Sequence, residues 1–213
     1  MNDLIKYSKE RNLMSNRREE ILDAFIRLIG RYGIDKTTMQ ELAKEAGISV
    51  GTIYNDFTSK EELIDAFCQR IEAQATQGYD YLLAQDESSE IILYSIITKH
   101  IEAANHMFRN NRGFIEITKS VHNFKHIGRK VLGVRSKIKE AVLRSVISIM
   151  ERGVRAGQFE ITDIPHTAAL FLDAVSEYWS PPFVEERDQE EIMRDTKAMV
   201  SLLLRAIKKP SNT

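Results

Sequence analysis

The polar residues between positions 49 and 56 could form hydrogen bonds with a partner outside the chain. This segment reads SVGTIYND, and Thr52, Tyr54 and Asn55 supply a hydroxyl, a phenol and a carboxamide. Gly51 beside them leaves the backbone uncovered. A helix with small residues in its first turn can lie close to base edges and phosphates, the groups that proteins contact on duplex nucleic acids. The pattern therefore favours binding of DNA.

Two short helices joined by a tight turn are predicted to hold this segment. Thr37 is predicted to cap the first helix, because Gln40 lies three residues later and can return the hydrogen bond. Gly47 supplies the positive φ that a tight helix end needs, and Ser49 is the predicted N-cap of the second helix. Such a helix-turn-helix places its second helix in the DNA major groove. An ordinary helical hairpin without a DNA partner is the alternative interpretation.

The sequence GTIYNDF, followed by SKEEL, is more specific than a bare helix-turn-helix. With these motifs, residues 17–63 resemble the N-terminal domain of the tetracycline-repressor (TetR) family of bacterial transcription regulators. The other matching residues are Ile21, Ala24, Phe25, Gly33, Thr37, Thr38, Leu42, Ala43, Ala46, Gly47 and Ser49. Similarity at the level of residues covers about the first third of the chain, and beyond it only size and helical pattern agree.

The resemblance implies a role for individual positions in DNA binding. Those implied to contact phosphates are Thr38, Thr52, Tyr54 and Lys60. Those implied to face bases or sugars are Val50, Gly51 and Asn55, and Ser49 completes the interface. Asp56 is a departure, because the family commonly has histidine or another polar residue between the tyrosine and the phenylalanine. A carboxylate at this position would be repelled by phosphate.

Hydrophobic periodicity predicts an all-α protein with about nine helices. A three-helix helix-turn-helix domain comes first, and a larger helical domain for effector binding and dimerisation follows. Asn16 with Glu19 is predicted to form the capping box that starts the first helix. The predicted bounds are 1–15 for a flexible basic arm, 16–58 for the DNA-binding domain, 59–208 for the effector-binding and dimerisation domain (with 59–77 as its connecting helix), and 209–213 for a loose tail.

A long apolar stripe is predicted on one side of a helix between Leu93 and Phe108, and His100 lies in its middle. A core histidine bonded to a carbonyl and a polar group in a ligand cavity both fit this position, since ligand pockets are mostly apolar with few polar groups. The cavity would be lined by residues 93–108, residues 114–124 and the long helix after them. Its predicted ligand contacts are His100, Met107, Phe108, Phe114 and Phe171.

The last two predicted helices carry more apolar surface than one subunit can cover. The first of them follows Ile164 and is predicted to run to the Pro181-Pro182 pair, with apolar residues on most of its sides. We expect the two helices to pair with their copies in a second chain as a four-helix bundle. The predicted interface residues are Leu170, Ala174, Tyr178, Met199 and Leu203.

Composition and charge narrow the class of protein. Hydrophobic residues at 43% and charged residues at 29% are typical of a globular protein, and no run of about 18 apolar residues predicts a membrane span. The N-terminus lacks the apolar core of a signal peptide, and the single Cys68 cannot form an intrachain disulfide, so we expect a cytoplasmic protein. The net charge of −1 is small, although residues 1–18 carry five basic and two acidic side chains.

Motifs of enzymes and metal sites are not found in the sequence. It contains no glycine-rich phosphate loop, no GxSxG, no HExxH and no CxxC. His122 and His126 have the i, i+4 spacing of metal ligands, but no third ligand lies near them in sequence. We therefore expect no catalysis, no cofactor and no metal.

These features and the resemblance lead to one expected function and one alternative. The expectation is a homodimeric repressor that binds double-stranded DNA at an inverted-repeat operator and responds to a small apolar or amphipathic effector. The alternative is a DNA-binding protein whose C-terminal domain binds a protein partner instead of a small molecule. A filled C-terminal core with an exposed apolar patch would favour the alternative.

Overall fold

The computed structural model describes residues 2–76, 79–110, 112–119 and 125–210, and the regular elements in these residues are helices. Eleven α-helices occur there, and two residues, Phe159 and Lys208, form an isolated antiparallel bridge. The helices are α1 (Asn2–Tyr32), α2 (Met39–Ala46), α3 (Val50–Asp56), α4 (Lys60–Thr76), α5 (Tyr79–Leu83), α6 (Ser89–Asn110), α7 (Arg112–Lys119), α8 (Lys125–Arg155), α9 (Ile164–Ala174), α10 (Pro181–Glu186) and α11 (Gln189–Ile207). The all-α prediction is confirmed, and the short helices α5 and α10 bring the number above the expected nine.

Helix α1 begins earlier than the capping pattern predicts. The structure describes residues 2–15, the predicted flexible arm, as the first turns of this helix. No glycine or proline precedes Gly30, so no residue in this stretch breaks a helix. The carboxamide of Asn16 donates to the Glu20 carboxylate at 2.9 Å, which is an i, i+4 contact within a helix. Asn16 is therefore an interior residue, and the prediction that it caps the helix is wrong.

Contacts divide the chain into two compact units. The N-terminal unit comprises Met1–Arg70 and Asn111–Leu132, and the C-terminal unit comprises Ile71–Asn110 and Gly133–Thr213. The bounds 16–58 and 59–208 remain predictions, although the contacts group the first part of α4 and all of α7 with the N-terminal unit. The core of the N-terminal unit contains Ile21, Phe25, Ile29, Leu42, Ile53, Phe57, Leu63 and Phe67, each almost fully buried. Tyr32, the last residue of α1, is exposed.

Helix α7 packs directly on α1 through a glycine. A Cβ atom placed on Gly113 would lie 2.2 Å from the backbone oxygen of Ile26, which is far too close for any side chain. Gly30 faces the same crossing, 3.0 Å from the Gly113 nitrogen by the same construction. The described residues of segment 114–124, part of the predicted cavity lining, are grouped with the N-terminal unit.

The C-terminal unit is built around α6. Lys208, just after α11, pairs with Glu90 at the start of α6 at 2.7 Å. Arg109, at the end of α6, donates to the carbonyl of Arg187, just before α11. The two helices therefore lie side by side and antiparallel. Their shared core contains Leu93, Ile97, Ile101, Val146, Met150, Phe171, Leu172, Val200 and Leu204.

The predicted helix from Ile164 to the proline pair is divided in the structure. Helix α9 ends at Ala174, and a short 3₁₀ helix follows at Ser176–Trp179. Pro181 then begins α10, because proline in the first turn of a helix loses no hydrogen bond.

No helix in the described residues is both long and apolar enough to cross a bilayer.

Candidate nucleic-acid interface

Helix α2 and the turn after it are fixed by local hydrogen bonds. Thr38 is the N-cap, with its hydroxyl accepting from the Glu41 amide at 3.2 Å while the Glu41 carboxylate accepts from the Thr38 amide at 2.9 Å. The prediction that Thr37 and Gln40 form this capping box is therefore wrong by one residue. Thr37 is buried instead, and its hydroxyl donates to the Gly33 carbonyl. Gly47 has φ of 68°, so the predicted left-handed end of α2 is confirmed.

Helix α3 begins at the predicted N-cap and is anchored by its apolar side. The Ser49 hydroxyl accepts from the Thr52 amide at 3.1 Å, and its oxygen lies 2.8 Å from the Thr52 hydroxyl. Ile53 and Phe57 are completely buried in the N-terminal unit. The anchored side fixes the rotation of α3, so Gly51, Tyr54 and Asn55 point away from the core.

The exposed side of α3 contains most of the residues that the resemblance assigns to DNA. Gly51 and Asn55 are exposed, and Tyr54 keeps 47% of its surface accessible. Val50 and Thr52 are half-buried at its edge. The outward residues present a phenol, a carboxamide and a patch of bare backbone, which are groups able to contact phosphates and base edges. Ser49 and Thr38, the two N-cap residues, are also exposed.

Lys60, a predicted phosphate contact, has a partner within the protein. Its ammonium group donates to the Ile34 carbonyl at 2.8 Å, and the side chain is half-buried at the start of α4. The bond ties α4 to the loop before α2. An ammonium has three donors, so Lys60 can keep this bond while one of the others faces a phosphate.

Asp56 is buried and ion-paired, which the pattern of the sequence does not predict. Its side chain is 1% exposed, and the two carboxylate oxygens accept from Arg17 Nε at 2.5 Å and Arg17 Nη2 at 2.9 Å. This hydrogen-bonded pairing raises the pKa of the Arg17 guanidinium. Arg18 donates to the Asp56 carbonyl, and its guanidinium lies 4.0 Å from the centre of the Phe57 ring. The carboxylate therefore faces the protein interior.

The predicted ligand contacts are mostly buried residues. Phe171 and Phe108 are buried, Met107 is half-buried, and the Phe114 side chain lies outside the described residues. His100 is buried with its ring edge-on to Trp179, at 4.4 Å between centroids. Burial lowers the pKa of His100 to about 4, so the imidazole is neutral at pH 7.

Buried polar groups near this core were not foreseen from the sequence. Among the described residues, the buried side-chain atoms without a hydrogen-bond partner are Ser89 Oγ, Asn105 Oδ1, Arg109 Nε and Thr196 Oγ1. The Asn105 amide donates to the carbonyls of Ile101 and Tyr178, at 2.8 and 2.9 Å. Asn105 follows Ile101 by four residues, so it lies in the apolar stripe of α6. A polar residue at such a position is the feature of the sequence that could have indicated a buried polar group. Buried polar atoms are normally hydrogen-bonded to protein or to ordered water.

Metal-binding geometry is not found in the part of the chain that the structure describes. No three His, Cys, Asp or Glu side chains come together there in a way that could hold an ion. The side chains of His122 and His126, the pair with metal-compatible spacing, are not among those that the structure describes.

The residues predicted for a dimer interface vary in exposure. Leu170 is 55% exposed and Ala174 is exposed, whereas Tyr178, Met199 and Leu203 are half-buried against the core of the C-terminal unit. Leu202, which the prediction omitted, is 53% exposed on α11. Exposed leucines on α9 and α11 are consistent with a surface that another protein chain covers.

Comparisons with known proteins match two separate segments of the sequence to one family. Residues 21–67 match the family described as bacterial regulatory proteins, tetR family. Residues 124–200 match the tetracyclin repressor-like C-terminal domain. Among solved structures, the transcriptional regulator FadR from Bacillus subtilis in complex with stearoyl-CoA has a TM-score of 0.65 at 17% identity. The match covers 89% of this chain and 98% of that one, and it supports the fold.

Two curated relatives match over part of the chain. The transcriptional repressor KstR2 from Rhodococcus jostii is 32% identical over 89 residues, which cover 42% of this chain and 44% of that protein. The nucleoid occlusion factor SlmA from Haemophilus ducreyi is 30% identical over 115 residues, 54% of each. The chain thus spans about half the length of the curated relatives that it matches. From the two family matches and the helix-turn-helix with its exposed α3, we conclude that the chain belongs to the TetR family of bacterial regulatory proteins.

Proposed function

We propose that this protein is a homodimeric transcription repressor that binds an inverted-repeat DNA site and responds to a small ligand. The outward face of α3 carries the proposal, because Gly51, Tyr54 and Asn55 point away from the core that Ile53 and Phe57 anchor. A helix presented in this way can enter a major groove, with its side chains at the base edges.

Symmetry follows from the proposed dimer. Two copies of α3 related by a two-fold axis would contact two half-sites about one helical turn apart, and so would recognise a roughly palindromic sequence. The net charge of −1 and the absence of basic residues from α3 imply that affinity depends on fit and dimerisation more than on a broad positive field.

Selection from a random pool of DNA duplexes tests the proposal. The purified protein should enrich one inverted repeat over several rounds at low ionic strength. A scrambled duplex of the same composition is the control and should bind much more weakly. Failure to retain any duplex, at low salt and at protein concentrations well above the micromolar range, would contradict the proposal.

Ligand response is supported by the composition of the C-terminal core. Helix α6 presents apolar residues together with buried polar atoms of Asn105 and Arg109 that have no partner among the described residues. A mostly apolar site with a few polar groups suits a small apolar or amphipathic molecule. Helices α4 and α8 each contain residues of both units, so ligand binding could act on the N-terminal unit through either helix. A coupling of about 1–3 kcal/mol would be enough to change occupancy of the operator substantially.

A protein partner for the C-terminal unit is the second candidate. It is favoured by the exposed Leu170 and Leu202 and by the relative named a nucleoid occlusion factor, a name that does not describe ligand sensing. Thermal denaturation in the presence of fractionated metabolites discriminates between the two, because a ligand that binds only the folded state raises the melting temperature. A stoichiometric protein that co-purifies, with no metabolite effect, would favour the second candidate.

A further inference from the structure

Helix α3 is an unusual helix to place beside DNA, because its only charged residue is acidic. The segment Val50–Asp56 contains no lysine or arginine. The carboxylate of Asp56 also lies in the last turn of the helix, where the backbone dipole contributes further negative charge. Without compensation, this end of α3 would repel the phosphates that the helix has to approach.

Two arginines of α1 neutralise this end of α3. Arg17 binds both carboxylate oxygens of Asp56 in a fork geometry, the strongest arrangement for an arginine–carboxylate pair. Arg18 donates to the Asp56 carbonyl, a helix-end acceptor, and covers the Phe57 ring. We call Arg17 and Arg18 the arginine clamp. Arg17 neutralises the carboxylate, and Arg18 binds the carbonyl while its guanidinium also lies 3.5 Å from the Glu62 carboxylate.

Burial makes the pairing with Arg17 obligatory for the carboxylate. The Asp56 side chain is 1% exposed, whereas that of Arg17 is 37% exposed. A carboxylate buried this deeply is strongly disfavoured without a partner, so loss of the guanidinium would leave an uncompensated charge inside the unit. A phosphate that drew Arg17 away would cause the same loss. Arg17 is therefore expected to keep both of its bonds to Asp56 when DNA binds.

We infer that Arg17 is a positioning residue for DNA recognition, which acts through Asp56 by neutralising and fixing the end of α3 and makes no phosphate contact of its own. This inference rests on the proposed function, and it deepens it by naming what allows an acidic recognition helix to approach DNA. It also distinguishes Arg17 from Lys60, for which a phosphate contact is proposed.

A double-mutant cycle tests the inference, with DNA binding measured on the duplex that the wild-type protein enriches. Arg17→Ala should weaken binding by about tenfold or more, because the buried carboxylate loses its partner. Asp56→Asn should change binding by less than about threefold, since the buried amide carries no charge and its oxygen can still accept one of the two bonds from Arg17. The double variant R17A/D56N should bind within about fivefold of wild type, because no unpaired charge remains. A double variant as weak as Arg17→Ala would overturn the inference, because Arg17 would then act on the DNA itself.

Two further readouts separate positioning from direct contact and from simple unfolding. The slope of log affinity against log salt should be the same for R17A/D56N as for wild type, because a residue without a phosphate contact releases no counterion. A slope that falls by about 0.9, the value for one lost phosphate contact, would contradict the inference. Arg27→Ala is the matched control, since Arg27 is another α1 arginine in an ion pair, at 3.1 Å from Glu45, and Arg31 still holds that glutamate.

Thermal stability tests the same pair without DNA. Arg17→Ala should melt at a lower temperature than R17A/D56N, because only the single variant keeps an unpaired buried carboxylate. The opposite order would overturn the inference, whether or not the protein binds DNA. A wild-type protein that retains no duplex, combined with the expected melting order, would reject the proposed function while leaving the neutralisation of Asp56 established.

Discussion

At the scale of single residues, the proposed interface separates side chains that hold the backbone of DNA from those that read its bases. Lys60 lies at the start of α4, where its ammonium already bonds the Ile34 carbonyl. Asn55 has an exposed carboxamide on the outer face of α3 and can pair with the edge of a base. The first position should contribute affinity for any sequence, and the second should contribute preference among sequences.

Substitution of these two residues should therefore have different effects. Lys60→Ala should weaken binding to specific and random duplexes to a similar degree and lower the salt slope by about 1, as expected for one lost phosphate contact. Asn55→Ala should reduce affinity for the selected site by about 1–3 kcal/mol and relax preference at one position of each half-site. Fluorescence anisotropy with both duplexes over a salt series measures the two effects. Equal losses on both duplexes for both variants would contradict these roles.

His100 determines a pH dependence of stability. Burial lowers its pKa to about 4, whereas an exposed histidine titrates near 6.5, so between these values the unfolded chain binds a proton that the folded chain does not. The contribution of neutral His100 is complete above pH 6.5 and is lost as the pH falls toward 4, by at most about 3 kcal/mol.

Chemical denaturation at pH 7 and pH 5 measures this contribution. His100→Gln should lose stability at pH 7 but show a smaller decrease between the two pH values than wild type does. His106→Gln is the matched control, because His106 is on the same helix and exposed. A His100→Gln protein with the full wild-type decrease would show that other groups cause the acid sensitivity.

At the scale of helices, the crossing of α1 and α7 depends on a missing side chain. Gly113→Ala should destabilise the protein by about 1–3 kcal/mol or more, because its Cβ would overlap the Ile26 carbonyl and the backbones would have to separate. Gly133→Ala is the control, since no atom lies within 4 Å of a Cβ built there and alanine is the better helix former by up to about 1 kcal/mol. Urea denaturation of both variants gives the comparison. Equal stability for the two would contradict the close packing of α7 on α1.

The sequence predicts the helices best where local chemistry decides their ends. Gly47 and Ser49 mark the turn between α2 and α3 because positive φ and N-capping depend on a few neighbouring residues. The start of α2 is harder to predict, because two residue pairs, Thr37 with Gln40 and Thr38 with Glu41, both have the spacing of a capping box. Burial decides between them, since Thr37 is taken into the unit and bonds the Gly33 carbonyl.

Long-range contacts explain what the sequence does not predict. The end of α9 at Ala174 is one example, because Asn105 on α6 donates to the Tyr178 carbonyl in the 3₁₀ helix that follows. Asp56 is another, since its partner Arg17 lies 39 residues earlier in the chain. Spacing identifies residues on one face of a helix, but it does not identify which distant residue meets that face. The exposed face of α3 was predictable because it depends on spacing within one helix. The arginine clamp was not predictable because it joins residues that are far apart in the chain.

At the scale of the whole molecule, the proposed dimer depends on the exposed leucines of α9 and α11. Leu170→Glu should give monomers in sedimentation, because it places a charge at the centre of an interface that is expected to be apolar. Ile91→Glu is the control, as Ile91 is 51% exposed on α6 outside the predicted interface, and it should leave the dimer intact. An unchanged dimer for Leu170→Glu would place the interface elsewhere.

The central claim is that the exposed face of α3 contacts duplex DNA, and Gly51→Glu tests it most directly. A Cβ built on Gly51 meets only the Ser49 hydroxyl, at 3.8 Å, so the protein should fold normally with a carboxylate on that face. Binding to the selected duplex should fall by at least about 100-fold, because like charges brought together at an interface cost several kcal/mol. Gly133→Glu, an equally open glycine on α8, should bind as wild type does. A folded Gly51→Glu protein with wild-type affinity would contradict the claim.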